Sequence, residues 1–158
     1  MNGESTAHVR EALAPFGVAD RILEFDVSSA TVELAAQALH CEGARIAKTL
    51  SFMADGKPIL IVLAGDARVD NAKYKHLFGC KAKMMTAEEL EHYTGLHFGG
   101  VCPFGIPEEV TIYLDESLKR FQTVYPACGT ANSAIEVTPE ELEKFSGAAG
   151  WIDVAKLL

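Results

Sequence analysis

The alternation of apolar and polar positions divides the chain into short elements. Ser5–Ala14 reads as a first helix, stopped by Pro15 and Gly17. Arg21–Val27 alternates Ile22 and Glu24 against Leu23 and Phe25, as a strand does. Ser28 and Ser29 then supply N-cap chemistry for a helix through Leu39, with Val32, Ala35, Ala36 and Leu39 on one face, and Gly43 ends that region. Lys48–Ala54 and Lys57–Ala64 are rich in strand formers and flank Asp55-Gly56, a hairpin signal. The second of these runs is apolar on both faces, which predicts a central strand. Asp70 is placed to cap a helix through Phe78, with Gly79 at its C-terminal end. Thr86 and Glu89 form a capping box for a helix to about Tyr93, closed by Gly95. Glu109–Leu114 alternates like a half-buried strand, and Thr123–Tyr125 and Ala134–Val137 read as two more. Thr138-Pro139-Glu140-Glu141 is a second capping box with proline at the first helical position, and Trp151–Val154 reads as a closing strand.

This order gives about seven strands and four or five helices with short connections, which predicts an α+β class and one compact domain over residues 1–158. Hydrophobic residues make up 49% and charged residues 23%, an ordinary globular balance. No apolar run approaches the ~20 residues that span a bilayer, so no membrane partner is expected. Met1–Ala14 carries Glu4, His8, Arg10 and Glu11 and has no apolar stretch of the signal-peptide kind, which makes the cytoplasm the expected location. The four cysteines form no C-x-x-C pair and read as reduced thiols. A net charge of −8 argues against broad, sequence-independent grip on DNA or other long nucleic acid. Arg68, Lys73, Lys75, Lys81 and Lys83 nevertheless face only Asp70 within their segment, a local balance of +4. Such a strip suits a partner offering a few phosphates; the plainer reading is the solvated basic face of a helix.

Three segments carry candidate chemistry. Lys48 sits in Ile46-Ala47-Lys48-Thr49-Leu50-Ser51-Phe52 at the start of a strand, either as an edge lysine with its head in water or as a fixed cation. Gly99-Gly100-Val101-Cys102-Pro103-Phe104-Gly105-Ile106-Pro107 specifies one backbone path, either a structural crossover or a pocket wall. Cys128-Gly129-Thr130-Ala131-Asn132-Ser133 offers small residues with spare N–H and hydroxyl groups, suited to an oxyanion site, to an adenosine clamp or to a plain polar turn.

Together these segments resemble the YbaK/prolyl-tRNA-synthetase-associated domain family of aminoacyl-tRNA deacylases, from about Arg21 to the C-terminus. The likeness is most specific in Ile46–Phe52 and Gly99–Pro107. The family's fold is a mixed, strongly curved sheet flanked by helices. The resemblance implies a free-standing editing enzyme that hydrolyses mischarged aminoacyl-tRNA, foremost proline tRNA carrying a small amino acid. Family members differ in preferring cysteinyl, alanyl, or seryl and threonyl esters. The implied chemistry uses no metal or cofactor. The implied partners are the 3′ end of the tRNA and prolyl-tRNA synthetase. By the resemblance, Lys48 orients the ester carbonyl, and Gly129 and Thr130 of the second loop are the expected catalytic amides. Gly99, Gly100, Val101, Cys102, Pro103, Gly105, Asn132 and Ser133 would bind substrate. Ile22 and Phe25 would shape the acyl pocket. Arg68, Lys73, Lys75, Lys81 and Lys83 are the candidate tRNA contacts.

Three other readings compete. A cysteine hydrolase would use Cys102 or Cys128 with His92 or His97 as base. A metal site would draw on His92, His97 and Cys102, or on His40 and Cys41, at spacings that match no zinc pattern. A non-catalytic module would capture a tRNA end or a synthetase.

Overall fold

The computed structural model describes residues 5–158, so Met1–Glu4 lie outside it. In chain order the elements are α1 (Ala7–Leu13), β1 (Leu23–Glu24), α2 (Val32–Leu39), β2 (Ile46–Ala54), β3 (Lys57–Ala64), β4 (Ala67–Val69), α3 (Asn71–Phe78), α4 (Ala87–Thr94), β5 (Thr111–Asp115), β6 (Tyr125–Pro126), β7 (Ser133–Ala134), α5 (Pro139–Ser146), β8 (Gly150–Ile152) and β9 (Ala155–Leu157). The fold is a single α+β domain. Its main sheet is five-stranded and mixed, in the order β6-β2-β3-β5-β8, and two two-stranded ribbons, β1-β7 and β4-β9, complete the strands.

The hairpin of β2 and β3 is the centre of the molecule. Asp55 and Gly56 both have positive φ (52° and 80°), the backbone of a type I′ turn, and they set the register from Ala54↔Lys57 to Ala47↔Ala64. From Pro58 to Ala64 every residue of β3 is buried, because β2 and β5 cover its edges and packed elements cover both faces. The apolar run over Lys57–Ala64 is therefore the central strand. Both predicted capping boxes form: the Thr86 and Thr138 hydroxyls accept from the Glu89 and Glu141 amides, and the glutamates reach back. Asp70 caps α3, and Gly79, Gly95 and Gly147 end their helices in the left-handed conformation.

Several boundaries differ from the sequence expectation. The strand expected over Arg21–Val27 shrinks to Leu23–Glu24, because Ala19–Arg21 forms a 3-10 turn and, past Glu24, the Asn132 N–H turns to Thr130 Oγ1 while its side chain meets the Phe25 carbonyl. The second helix begins at Val32 with Thr31 as its cap, not at Ser28 and Ser29. Those serines join the second glycine loop instead, the Ser29 N–H donating to the Ala131 carbonyl. Ala67–Val69 and Ala155–Leu157 pair antiparallel; each is too short to leave a periodic signal. The closing strand splits at Asp153, where the Val154 N–H turns to the buried Asp115 carboxylate at 2.9 Å.

Two glycine loops meet beside the hairpin. Gly100 is buried, and a Cβ built on it would lie 2.9 Å from Gly129 C, Gly129 O and Thr130 Cα, all of them backbone. No flexible side chain is available to yield, so only glycine allows the contact. Ion pairs tie the outer elements down. Arg21 holds the Glu141 carboxylate below the usual range, Arg120 does the same for Asp66, and a hydrogen bond from Thr123 does so for Glu136.

Two outcomes follow. Gly100→Ala should lower unfolding stability by about 1–3 kcal/mol through forced separation of the loops, read as an earlier urea midpoint with an unchanged slope. The three depressed carboxylates contribute stability that is present above the ordinary carboxylate range of about 4 and is lost as pH falls through their lowered folded values. Acid unfolding of Glu141→Gln should therefore show a shallower loss of stability below that pH than the wild type.

Candidate functional site

A cavity of about 260 Å³ opens at the edge of β2. Ile46–Leu50 of β2 form its floor, and Ser29–Val32 with Ala35 form one wall. Phe98, Gly99 and Val101 come from the first glycine loop; Tyr125, Ala127, Ser133 and Ala134 come from β6, β7 and the segment between them. The walls are largely small and apolar, so the space is defined by alanine, valine and glycine surfaces rather than by charge.

The cavity exists because β6 stops short. It pairs with β2 only at Ile46 and Ala47. Farther along the same edge, the Met53 N–H donates to the Lys83 carbonyl and the Met85 N–H to the Ser51 carbonyl. Backbone polarity alternates along an antiparallel strand, so the odd-numbered residues here turn their N–H and C=O groups outward. Thr49 lies between the two covered stretches, and its main-chain N–H and C=O face the open edge. The Thr49 hydroxyl and the Ser29 hydroxyl are both buried without a hydrogen-bond partner among the described residues.

Lys48 is the cation of the cavity wall. It is half-buried, and desolvation lowers its pKa from the ordinary lysine value, opposed by the carboxylates of Asp66 and Glu33. Its Nζ lies 3.5 Å from the Gly65 carbonyl. Gly65 is itself pressed against the backbone of Gly43: a Cβ there would lie 2.0 Å from Gly43 O, which pins that carbonyl in place. Asp66 is held by the Arg120 guanidinium (Nη1 to Oδ2, 3.0 Å), so it faces Lys48 as a fixed but shared countercharge. Across the cavity, the Arg45 guanidinium lies 5.0 Å over the Tyr125 ring and hydrogen-bonds to the Thr123 side chain and to Glu136. The N-terminal part of α2 contributes Val32 and Ala35 to the wall, preceded by its cap Thr31.

The structure sorts the residues singled out in the sequence. Lys48, Gly99, Val101 and Ser133 line the cavity. Gly100 lies behind them as the loop-to-loop contact. Cys102 and Pro103 are buried, and Gly105 sits under His8, whose Nε2 donates to the Gly105 carbonyl at 2.6 Å. Gly129 and Thr130 do not line the Lys48 cavity, which corrects the expectation that their amides act there. Gly129 borders a separate hollow with His8, Val9 and Leu96. The Thr130 hydroxyl is spent internally, 2.7 Å from Ser133 Oγ and 2.8 Å from Asn132 Oδ1. Asn132 braces the chain by donating to the Phe25 carbonyl at 2.9 Å. Ile22 belongs to the core, and neither it nor Phe25 lines the acyl-sized space. The basic residues do not form one helix face: Arg68 is on β4, Lys73 and Lys75 are on α3, and Lys81 and Lys83 follow that helix. Lys73 is engaged by Asp153 at 2.9 Å and by the Ala155 carbonyl.

Wall residues that sequence reasoning passed over are Ser29–Val32, Thr49, Phe98, Tyr125 and Ala127. Ser28 and Ser29 did give a local signal, but it reads as helix capping. The thiol and metal readings lose their geometry. Cys102 is fully buried, its Sγ faces the Phe104 carbonyl, and burial pushes its pKa up to about 12. Burial also raises the Cys128 thiol. Among the described residues no three His, Cys, Asp or Glu side chains gather as metal ligands, and no helix is long and apolar enough to cross a membrane.

Comparison with known proteins assigns the chain to a family. The chain is 51% identical over 153 residues to the uncharacterized protein YwhH of Bacillus subtilis (strain 168), covering 96% of this chain and 98% of that protein. It is 35% identical over 95 residues to the proline–tRNA ligase of Limosilactobacillus fermentum, a match that covers 56% of this chain but 17% of the ligase. A solved structure described as a candidate trans-editing enzyme for prolyl-tRNA synthetase superposes with a TM-score of 0.86 at 32% identity, covering 96% of each chain. The model of the aminoacyl-tRNA editing domain matches residues 26–145, a span that holds the β2 edge, both glycine loops and every residue named as lining the cavity. The chain therefore belongs to the aminoacyl-tRNA editing domain family.

Proposed function

We propose that this protein deacylates mischarged aminoacyl-tRNA in trans, releasing a small amino acid from the 3′ end of proline tRNA by ester hydrolysis without a metal. The observation that carries this reading is the position of Lys48, a partly desolvated cation in the wall of a small, mainly apolar cavity at an open strand edge. Its sequence likeness to a proline–tRNA ligase and its structural likeness to a candidate trans-editing enzyme support proline tRNA as the carrier.

In this reading the acyl group enters among Ala30, Val32, Ala127 and Ala134, and the ribose stays at the mouth. Water adds to the ester carbonyl, negative charge develops on its oxygen, and the bond to the ribose oxygen breaks as that oxygen takes a proton. Free amino acid and tRNA leave. Lys48 and the outward N–H of Thr49 are the donors beside the developing charge, where a low-polarity wall strengthens their effect. The unpartnered Ser29 and Thr49 hydroxyls add hydrogen-bonding capacity for the acyl group or the ribose. Size sets the selectivity: a hydrophobic pocket separates acyl groups differing by one methylene by only ~1–3 kcal/mol, so synthetases that cannot reject a smaller analogue need such a second sieve.

The tRNA body is placed on the exposed Arg68, Lys75, Lys81 and Lys83, with Lys73 already occupied by Asp153. The Lys83 end of this surface meets β2 at Met53, five residues from Lys48 and so roughly 17 Å along the strand. That spacing suits a terminal ester in the cavity with phosphates farther along the acceptor strand.

Two measurements test the proposal. In a panel of small aminoacyl esters on proline tRNA and on their cognate tRNAs, wild-type protein should release amino acid, and Lys48→Ala should lose about 10²–10³-fold in kcat. Binding of tRNA without release of any amino acid would instead identify a capture module. Separately, combined Lys75→Ala, Lys81→Ala and Lys83→Ala should weaken tRNA binding and reduce the log–log salt slope by about 0.7–0.9 for each phosphate no longer neutralised. An unchanged slope would remove these lysines from the interface.

A further inference from the structure

Phe98 is an apolar ring held at the cavity mouth where burial would be the norm. It is 54% exposed, yet it lines the cavity. Its placement is set by the backbone. The Gly100 N–H donates to the His97 carbonyl at 3.1 Å, closing a four-residue turn with Phe98 and Gly99 at its two central positions. Gly99 has φ +95°, the left-handed value that the third residue of a type II turn requires. A Cβ on Gly99 would also press on Ala30 at 3.3 Å, so the turn is seated against the opposite wall. Gly100 is then fixed against Gly129 and Thr130. The ring is thus presented by a constrained turn, and holding it costs little conformational freedom on binding.

The cavity itself, at about 260 Å³, falls below the roughly 300–1,000 Å³ that encloses a drug-sized ligand. It has room for part of an aminoacyl nucleoside, and the remainder must rest on the mouth. A planar, uncharged group one ribose away from the ester is the chemistry that an exposed aromatic face recognises.

We infer that Phe98 is the stacking platform for the terminal nucleobase of the tRNA. This rests on the proposed deacylase reading for the identity of the substrate, and it adds a nucleobase subsite outside the acyl cavity. Stacking is tolerant of base identity, so the platform holds the end of the strand and leaves discrimination among acyl groups to the cavity.

The test compares two esters of one amino acid that wild-type protein releases: the aminoacyl ester of adenosine and the same ester on a ribose lacking the base. With the adenosine ester, Phe98→Ala and Phe98→Leu should lose about 5- to 150-fold in kcat/KM, the span of a single base–aromatic stack, and Phe98→Tyr should retain most of it. With the base-free ester all variants should match wild type. Wild-type activity from Phe98→Leu on the adenosine ester, or equal losses on both esters, overturns the inference. Calorimetric titration with adenosine alone separates it from the deacylase reading: adenosine binding that is lost in Phe98→Ala sustains the platform even if no ester is cleaved, and binding unchanged by the substitution rejects it.

Discussion

Everything near the cavity depends on one backbone contact, the bare Cα of Gly100 against the main chain of Gly129 and Thr130. Through it two loops far apart in sequence become a single wall. The first loop then presents Phe98, Gly99 and Val101 from one side. The second loop is locked from within by Thr130, Asn132 and Ser133, and it in turn receives the Ser29 amide and braces Phe25. The segment leading into α2 is thereby anchored, which sets Ser29–Val32 in the cavity wall. A side chain at position 100 would disturb all three parts together.

The electrostatics of the site follow from partial burial rather than from a dense charge cluster. Lys48 meets the Gly65 carbonyl at the outer limit of a hydrogen bond, and the Asp66 carboxylate that favours its charge is already engaged by Arg120. The ammonium is therefore neither neutralised by a tight ion pair nor fully hydrated, and it keeps attraction for a new partner. The Arg45, Thr123 and Glu136 group works on the opposite side as a scaffold that keeps Tyr125 in the wall.

The sequence made the framework legible where the signal is local. Asp55-Gly56, the two capping boxes and the uninterrupted apolar run of β3 each name their structure within a few residues, and each forms as expected. Lys48 and the first glycine loop each left a plain structural reading open on their own residues; the family resemblance of their motifs pointed to a site, and Lys48, Gly99 and Val101 line the cavity. The second loop was legible as a partner of the site, but which of its groups face the cavity was not. That depends on φ values and on the Thr130 hydroxyl choosing Ser133 and Asn132, a choice made in three dimensions. Ile22 and Phe25 were misplaced for a related reason: alternation predicted a long strand, but a 3-10 turn delays its start to Leu23 and the Asn132 side chain, in place of its main-chain N–H, meets the Phe25 carbonyl at its end. The open amide of Thr49 had no sequence signal, since it arises from the length of a different strand.

The truncated β6 has a consequence for the solubility of the fold. Unpaired strand edges invite other chains to add a strand, and that addition needs several consecutive main-chain bonds to persist. Here the gap between Ala47 and Ser51 leaves one outward-facing residue, bounded on either side by existing pairs. A foreign polypeptide finds no run long enough to template aggregation, whereas a lone carbonyl on a small molecule finds an unoccupied donor.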